Sequence, residues 1–277
     1  MIYIVVLLIF ILLILLYAIK PYSKRYNHED YAYFTSYLYA HRGLFDNKKE
    51  YPENSLNAFQ RAVDAGYGIE LDVQMTTDDK LVVFHDGNLL RMCSDDRMLT
   101  DCSYEALQKL HLKNSHQTIP LFKDVLNVVD GKVPLIVEIK TEGRNIETTK
   151  KVHEMMKGYK GKYVVESFNP QLLQWYYKNE PNILRGQLSE DYFTRDNGMN
   201  FSTKFVLTNM LTNFISKPDF ISYDYKGYDQ KGYALLRKLF SCRHAVWTIR
   251  SEEDLKIAKE RYDIIIFDSF IPEKKER

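Results

Sequence analysis

The chain has 277 residues, with 38 Lys+Arg against 37 Asp+Glu and a formal net charge of +1, so no global field draws it onto nucleic acid. Beyond an apolar leader, roughly 240 residues rich in β-branched and aromatic side chains remain, enough for one α/β barrel domain. The three cysteines, Cys93, Cys102 and Cys242, are odd in number and lack the spacing of a zinc site or redox motif, which fits a reducing compartment.

From Ile2 to Ile19 no residue is charged, and the ring of Tyr17 suits a membrane interface. As a helix this run reaches about 27 Å, close to the hydrocarbon thickness of a bilayer. No basic n-region or small-residue cleavage site precedes Lys20, so residues 1–19 are expected to be a retained transmembrane helix rather than a cleaved signal. Lys20, Lys24 and Arg25 follow the run, and the positive-inside bias therefore places the domain behind it in the cytoplasm, as a single-pass membrane protein. Residues 20–35 are polar and tyrosine-rich without period and read as a juxtamembrane connector, leaving 36–277 as the folded domain.

In that domain short apolar runs ending in polar residues alternate with stretches of helical period. The runs at 37–41, 69–73, 135–140, 163–168, 183–188, 220–224, 245–249 and 264–268 are predicted strands, most of them followed by a helix. Leu56, Phe59 and Val63 recur at helical spacing with Gly66 as the stop; Asn169 caps a helix opened by Pro170; Ser251 and Asp254 resemble a capping box. A ninth run at 81–85 follows the second strand too closely for a parallel crossover. It must turn back as a hairpin around Asp78 and Asp79, which carries His85 beside Asp72. Residues 87–119, with helical material at 104–110, form an insertion over the active face, and 120–129 reads as the helix feeding the next strand. Residues 190–214 lack helical period, and 191–203 is expected to be a loop near the entrance.

The strand ends concentrate chemistry: His41-Arg42-Gly43, Glu70-Leu71-Asp72, His85-Asp86 on the hairpin, and Glu138-Ile139-Lys140. In an α/β barrel the C-terminal strand ends share one mouth. Glu70 and Asp72, two apart on a strand, project to one side, and Glu138 arrives from the adjacent strand. Three carboxylates without cysteine make a hard oxygen site for one divalent cation, Mg²⁺ or Ca²⁺ rather than zinc. Arg42 offers a planar fork for phosphate and Lys140 a point charge. His41 and His85 are the natural acid and base, since imidazole titrates nearest neutral pH. Taken singly, each piece has a plainer reading: a packing histidine, a solvated Glu-x-Asp face, a surface Glu-x-Lys pair, a core Trp247, an Asp268 that caps a helix or anchors a loop. Their joint occurrence at successive strand ends favours an active site.

These residues resemble the glycerophosphodiester phosphodiesterase family. The matching elements run from His41 to the end and include His41-Arg42-Gly43, Pro52-Glu53-Asn54-Ser55, Glu70-Leu71-Asp72-Val73, Val83-Phe84-His85-Asp86, Ile119-Pro120, Glu138-Ile139-Lys140, Ser167-Phe168-Asn169-Pro170 and Trp247-Thr248. The resemblance implies a TIM barrel with a small insertion after the second histidine. It also implies a metal on Glu70, Asp72 and Glu138, His41 and His85 as acid and base, and hydrolysis of a glycerophosphodiester to glycerol 3-phosphate and an alcohol. The family chemistry resembles that of phosphatidylinositol-specific phospholipase C, in which a neighbouring substrate hydroxyl attacks first and water then opens the cyclic phosphate. Glu53 and Asn54 are expected to support the site, and Glu166 and Trp247 to touch substrate; Ser55 stands where the family often has Thr. Three alternatives remain: a lysophospholipase D acting on lysolipids, a Schiff-base aldolase with Lys140 as nucleophile, and a non-catalytic phosphodiester-binding membrane module.

Overall fold

Side chains alternate along a strand, so each strand offers one set of residues to the inside of a closed sheet and another to the layer around it. In β1 (Leu38–His41) Tyr39 and His41 point inward while Ala40 packs outward against helices. The computed structural model describes the whole chain except residues 26–27, 141–145, 195–197 and 274–277. After β1 come β2 (Gly68–Met75), β3 (Leu81–Val83), β4 (Leu135–Ile139), β5 (Tyr163–Ser167), β6 (Arg185–Ser189), β7 (Phe220–Asp224), β8 (Arg243–Ile249) and β9 (Ile264–Phe267). All pair in parallel except β3, and β1 bonds to both β2 and β9, which closes an eight-stranded TIM barrel. Helices such as Leu56–Asp64, Phe122–Val129, Pro170–Asn179, Lys231–Leu239 and Glu252–Arg261 surround it.

The hairpin expected from the short spacing is present: β3 runs antiparallel to β2 with Val73 opposite Val83, and Asp79 turns with φ 63°. Capping follows the local sequence too. Asn169 and Ser251 accept hydrogen bonds from the backbone N–H of Gln171 and Asp254, and Ser55 does the same for Ala58. The insertion holds short helices at Leu90–Cys93 and Tyr104–Leu107 around its own small core of Leu89, Met92, Leu99 and Leu107.

Two regions differ from expectation. Residues 200–216 are not all loop: Asn200 caps a helix at Phe201–Thr208, and a second short helix spans Asn213–Ser216. The first has its phenylalanines on exposed positions, so no apolar stripe toward the core marks it in the sequence. Residues 195–197 of the expected entrance loop lie outside the described residues. The second difference concerns the stretch read as a connector. Its helix Asp30–Phe34 lies under the barrel, where Tyr31 and Phe34 are buried against the inward residues Tyr39, Ile136, Val164, Phe220 and Ile264. Tyr31 donates to the carbonyl of Asp219 and Tyr39 to that of Phe34, both at 3.0 Å. Burying the two rings contributes about 1.5–3 kcal/mol each.

The helix Ile2–Ile19, with mean hydropathy 3.3, is long and apolar enough to cross a membrane. Its last turn meets the barrel. Asn213 donates to the carbonyl of Ile19 at 2.8 Å and Tyr17 packs on Phe214 at 6.4 Å.

Candidate active site

The register of the barrel assembles the site. His41 pairs with Glu70 across β1 and β2, Asp72 with Glu138 across β2 and β4, and Glu138 with Glu166 across β4 and β5. Two places earlier on β1, β4 and β5, Tyr39, Ile136 and Val164 sit in the apolar floor. The period of two therefore stacks a charged layer directly on an apolar one.

After His41 the chain leaves β1 with Arg42 at φ 57° and Gly43 at φ 83°. A side chain on Gly43 would come within 2.9 Å of the backbone of Ala58, so this turn requires glycine. The turn aims the N–H of Arg42 at Glu70 Oε2, 3.0 Å away. Its guanidinium reaches Glu53 at 2.7 Å and Asp72 at 3.5 Å. Asn54 donates to Asp72 at 2.8 Å. The Pro52-Glu53-Asn54-Ser55 segment thus orients Arg42 and Asp72 and caps the first barrel helix.

One oxygen from each of Glu70, Asp72 and Glu138 lies within 4.8 Å of the others, all three side chains buried. Burial raises Glu70 well above the usual carboxylate range, and the charges of Asp72 and Glu138 add to it. Burial also opposes ionisation of Asp72, but Lys140, His85 and Arg42 outweigh it and hold Asp72 low. Three oxygen donors at this spacing fit a hard divalent cation, which would offset the burial and the mutual repulsion that raise Glu70. Lys140 sits 2.7 Å from Glu138 and 3.2 Å from Asp72; despite its burial those carboxylates raise its pKa, so it stays a cation. A Schiff-base nucleophile needs the opposite shift. The aldolase alternative fails on that ground.

Both histidines are oriented through Nδ1. His41 meets Asp268 Oδ2 at 2.9 Å and His85 meets Asp86 Oδ1 at 2.6 Å, which leaves each Nε2 available to a substrate. Burial and the neighbouring Arg42 lower His41 to about 4 against the pull of Asp268, so its ring is neutral at pH 7. Beyond Asp86, Arg91 from the insertion bonds both Asp86 and Glu53 at 2.6 Å. Burial works against the charge on Glu53, yet Arg91 and Arg42 bring it down to about 2.

His41, Arg42, Glu70, His85, Glu138, Lys140, Glu166 and Trp247 line one cavity of about 510 Å³, which Leu188, Tyr192 and Met199 close on an apolar side. The size and mixed lining suit a small amphipathic ligand. Glu166 is pushed up to about 8, first by burial and then by Glu138, and so is uncharged over most of the neutral range. Trp247 packs edge-on against Phe168, and its buried indole N–H has no acceptor among the described residues.

Residues 41–270 match the glycerophosphoryl diester phosphodiesterase family. The chain belongs to this family. A glycerophosphodiester phosphodiesterase of Bacillus altitudinis is 32% identical over 166 residues, 56% of this chain and 66% of that protein, so the aligned part spans a little under two thirds of that relative. A lysophospholipase D of Mus musculus is 30% identical over 54% of this chain and 51% of its own length. Among solved structures, a phosphodiesterase of Oleispira antarctica in complex with the product sn-glycerol-3-phosphate aligns with TM-score 0.67 at 22% identity, over 84% of this chain and 93% of that one. That likeness carries the TIM barrel.

Of the candidate site residues, His41, Arg42, Glu70, His85, Glu138, Lys140, Glu166 and Trp247 line the cavity, and Glu53, Asn54 and Asp72 lie behind it through their contacts with Arg42 and with one another. Sequence reasoning left Asp268 open and gave Asp86 no role, and it passed over Arg91 and Arg250. Arg250 pairs with Asp268 at 2.9 Å. Asp268 falls beside His41 only because β9 closes onto β1, with Phe267 opposite Ala40. The one signal available was its place at the end of the last predicted strand. Arg91 lies in an insertion whose path no periodicity reveals.

Proposed function

We propose that the protein is a metal-dependent phosphodiesterase that hydrolyses glycerophosphodiesters to glycerol 3-phosphate and an alcohol. The observation that carries this reading is the convergence of His41, His85 and the carboxylates of Glu70, Asp72 and Glu138 on one cavity. A phosphodiester-binding module that does no chemistry has no need of an acid, a base and three ligands together. Family membership supports the same reading, and the product named for the Oleispira antarctica relative is glycerol 3-phosphate.

Glu70, Asp72 and Glu138 would hold one divalent cation, Mg²⁺ or Ca²⁺, which would neutralise charge on a phosphate oxygen. Arg42 and Lys140 grip the other phosphate oxygens, with Glu53 and Asn54 holding Arg42 and Asp72 in place. Neutral His41 takes the proton of the glycerol hydroxyl next to the phosphate; that oxygen attacks phosphorus, and the leaving alkoxide receives a proton from His85. Water then opens the cyclic phosphate with the two histidine roles reversed. Glu166, as a neutral donor, and the Trp247 indole contact the glycerol part. The apolar helix is a single-pass anchor with the barrel on the cytoplasmic side, supported by Lys20, Lys24 and Arg25 just after it.

Release of glycerol 3-phosphate from glycerophosphocholine, measured with Mg²⁺ or Ca²⁺ and with EDTA, tests the proposal. Metal-dependent release is expected. Hydrolysis that persists in EDTA would remove the cation from the mechanism, and no turnover across a panel of glycerophosphodiesters would remove the activity. A second reading, lysophospholipase D, is favoured by the apolar side of the cavity at Leu188, Tyr192 and Met199 and by the Mus musculus relative.

A further inference from the structure

The connection between β6 and β7 carries an unusual surface. Phe193, Phe201, Phe205 and Phe214 are exposed by 45, 74, 44 and 43%. Phe201 lies 5.5 Å from the ring of Phe193 and 6.3 Å from that of Phe205, so three of them form one continuous aromatic cluster. Among the described residues of the barrel, the other exposed large apolar side chains outside this connection are Leu90, Leu235, Leu239 and Ile271. Leu235 and Leu239 sit on the helix Lys231–Leu239, whose cap Gln230 bonds Asn209 of the same connection at 3.3 Å. Exposed aromatic clusters of this kind mark a binding surface.

Two observations say what covers it. At one end the connection borders the catalytic cavity, which Tyr192 and Met199 line. At the other it holds the last turn of the membrane-capable helix, through Asn213 on the Ile19 carbonyl and Phe214 on Tyr17, with the Lys217 ammonium 4.7 Å from the Tyr17 ring. One connection thus carries both the aromatic cluster and the contacts to the segment that enters a bilayer. Lys20 and Lys24, both exposed, add positive charge beside that segment. Phenylalanines flanked by lysines suit the boundary between headgroups and acyl chains.

We infer that this flank rests on the bilayer that the leader helix enters, with Phe193, Phe201 and Phe205 inserted in the interface, so that the cavity opens at the lipid surface. Such seating would let a single-chain lipid pass from the bilayer to the cavity along the apolar side at Tyr192 and Met199. The membrane contact stands independently of the enzymatic reading; the delivery of a lysolipid rests on it.

The full-length protein, reconstituted in vesicles of phosphatidylcholine and phosphatidylglycerol with brominated acyl chains, separates the two. Phe201→Trp and Phe205→Trp are compared with Ile271→Trp, each against the parent with its native tryptophans. Bromolipid quenching of the first two, and not of the third, is expected. Quenching no greater than at Ile271 overturns the proposal, and self-cross-linking of Phe201→Cys chains in that case assigns the cluster to a second copy. Serine at 193, 201 and 205 together should lower hydrolysis of lysophosphatidylcholine in the same vesicles, relative to soluble glycerophosphocholine, by roughly tenfold. An unchanged ratio, with both substrates turned over, overturns the delivery role alone.

Discussion

Nδ1 of His41 lies 2.9 Å from Oδ2 of Asp268, although the two residues are 227 positions apart in the chain. The contact fixes the ring so that Nε2 is the nitrogen left to the cavity, and it is the main influence raising a histidine that burial drives down to about 4. We expect Asp268→Asn to lower kcat by about 10²-fold while leaving metal affinity unchanged, because the base loses its orientation and not its chemistry. Steady-state kinetics alongside calorimetric Ca²⁺ titration checks this. An equal loss in metal affinity would show that Asp268 supports the carboxylates instead.

The two histidines should respond differently to the leaving group. With a p-nitrophenyl ester that retains the glycerol hydroxyl, no acid is needed, so the alanine variant of the acid should recover activity and that of the base should not. We expect recovery for His85→Ala, with the gap between substrates about 10²–10⁴-fold. Equal losses on both substrates would withdraw the acid–base assignment.

The three carboxylates should not be equivalent in the metal-free protein. Burial and the neighbouring carboxylates disfavour the charge on Glu70 there, so Glu70→Gln should leave the melting temperature in EDTA unchanged or higher. Asp72 is ionised and partnered by Lys140, Arg42 and Asn54, so Asp72→Ala takes one of two carboxylate partners from each of the buried cations Lys140 and Arg42, leaves the Asn54 amide without its acceptor, and should cost about 1–3 kcal/mol. Both variants should lose Mg²⁺ or Ca²⁺ binding by calorimetry. Thermal scans in EDTA that rank the two equally would contradict the charge arrangement described above.

Stability without metal should also depend on pH through Glu166. Its folded pKa of about 8 exceeds the ordinary 4.5, so the folded chain keeps a proton that the unfolded chain gives up. That stabilisation is fully present below 4.5 and is lost as pH rises through 8. Glu166→Gln keeps a neutral side chain at every pH. The variant should therefore gain on the wild type steadily from pH 5 to pH 8 in chemical denaturation with EDTA. A constant difference would mean that Glu166 is ionised throughout.

The floor of the barrel makes truncation informative. Removing residues 1–19 should leave a folded barrel, whereas removing 1–35 takes away Tyr31 and Phe34 and opens the apolar floor. Phe34→Ala alone should cost about 3–5 kcal/mol. Circular dichroism melts of the three proteins check this, and a stable protein lacking 1–35 would make the stretch a mere tether.

Much of this protein is set by its sequence alone. Period-two runs and caps such as Asn169 are local, so the eight strands, the hairpin that returns His85 and the candidate ligands could be read without coordinates. The helix Phe201–Thr208 escaped because its apolar residues face outward and leave no core-facing stripe. What the tertiary structure alone decided are relationships between distant segments: the closure of β9 on β1 that sets Asp268 against His41, the reach of Arg91 to Glu53 and Asp86, and the docking of Tyr31 and Phe34 under the barrel. The reason is physical. Local patterns fix which way a side chain points along its own element, but which elements meet, and in what register, is settled only when the sheet closes and the apolar floor is filled.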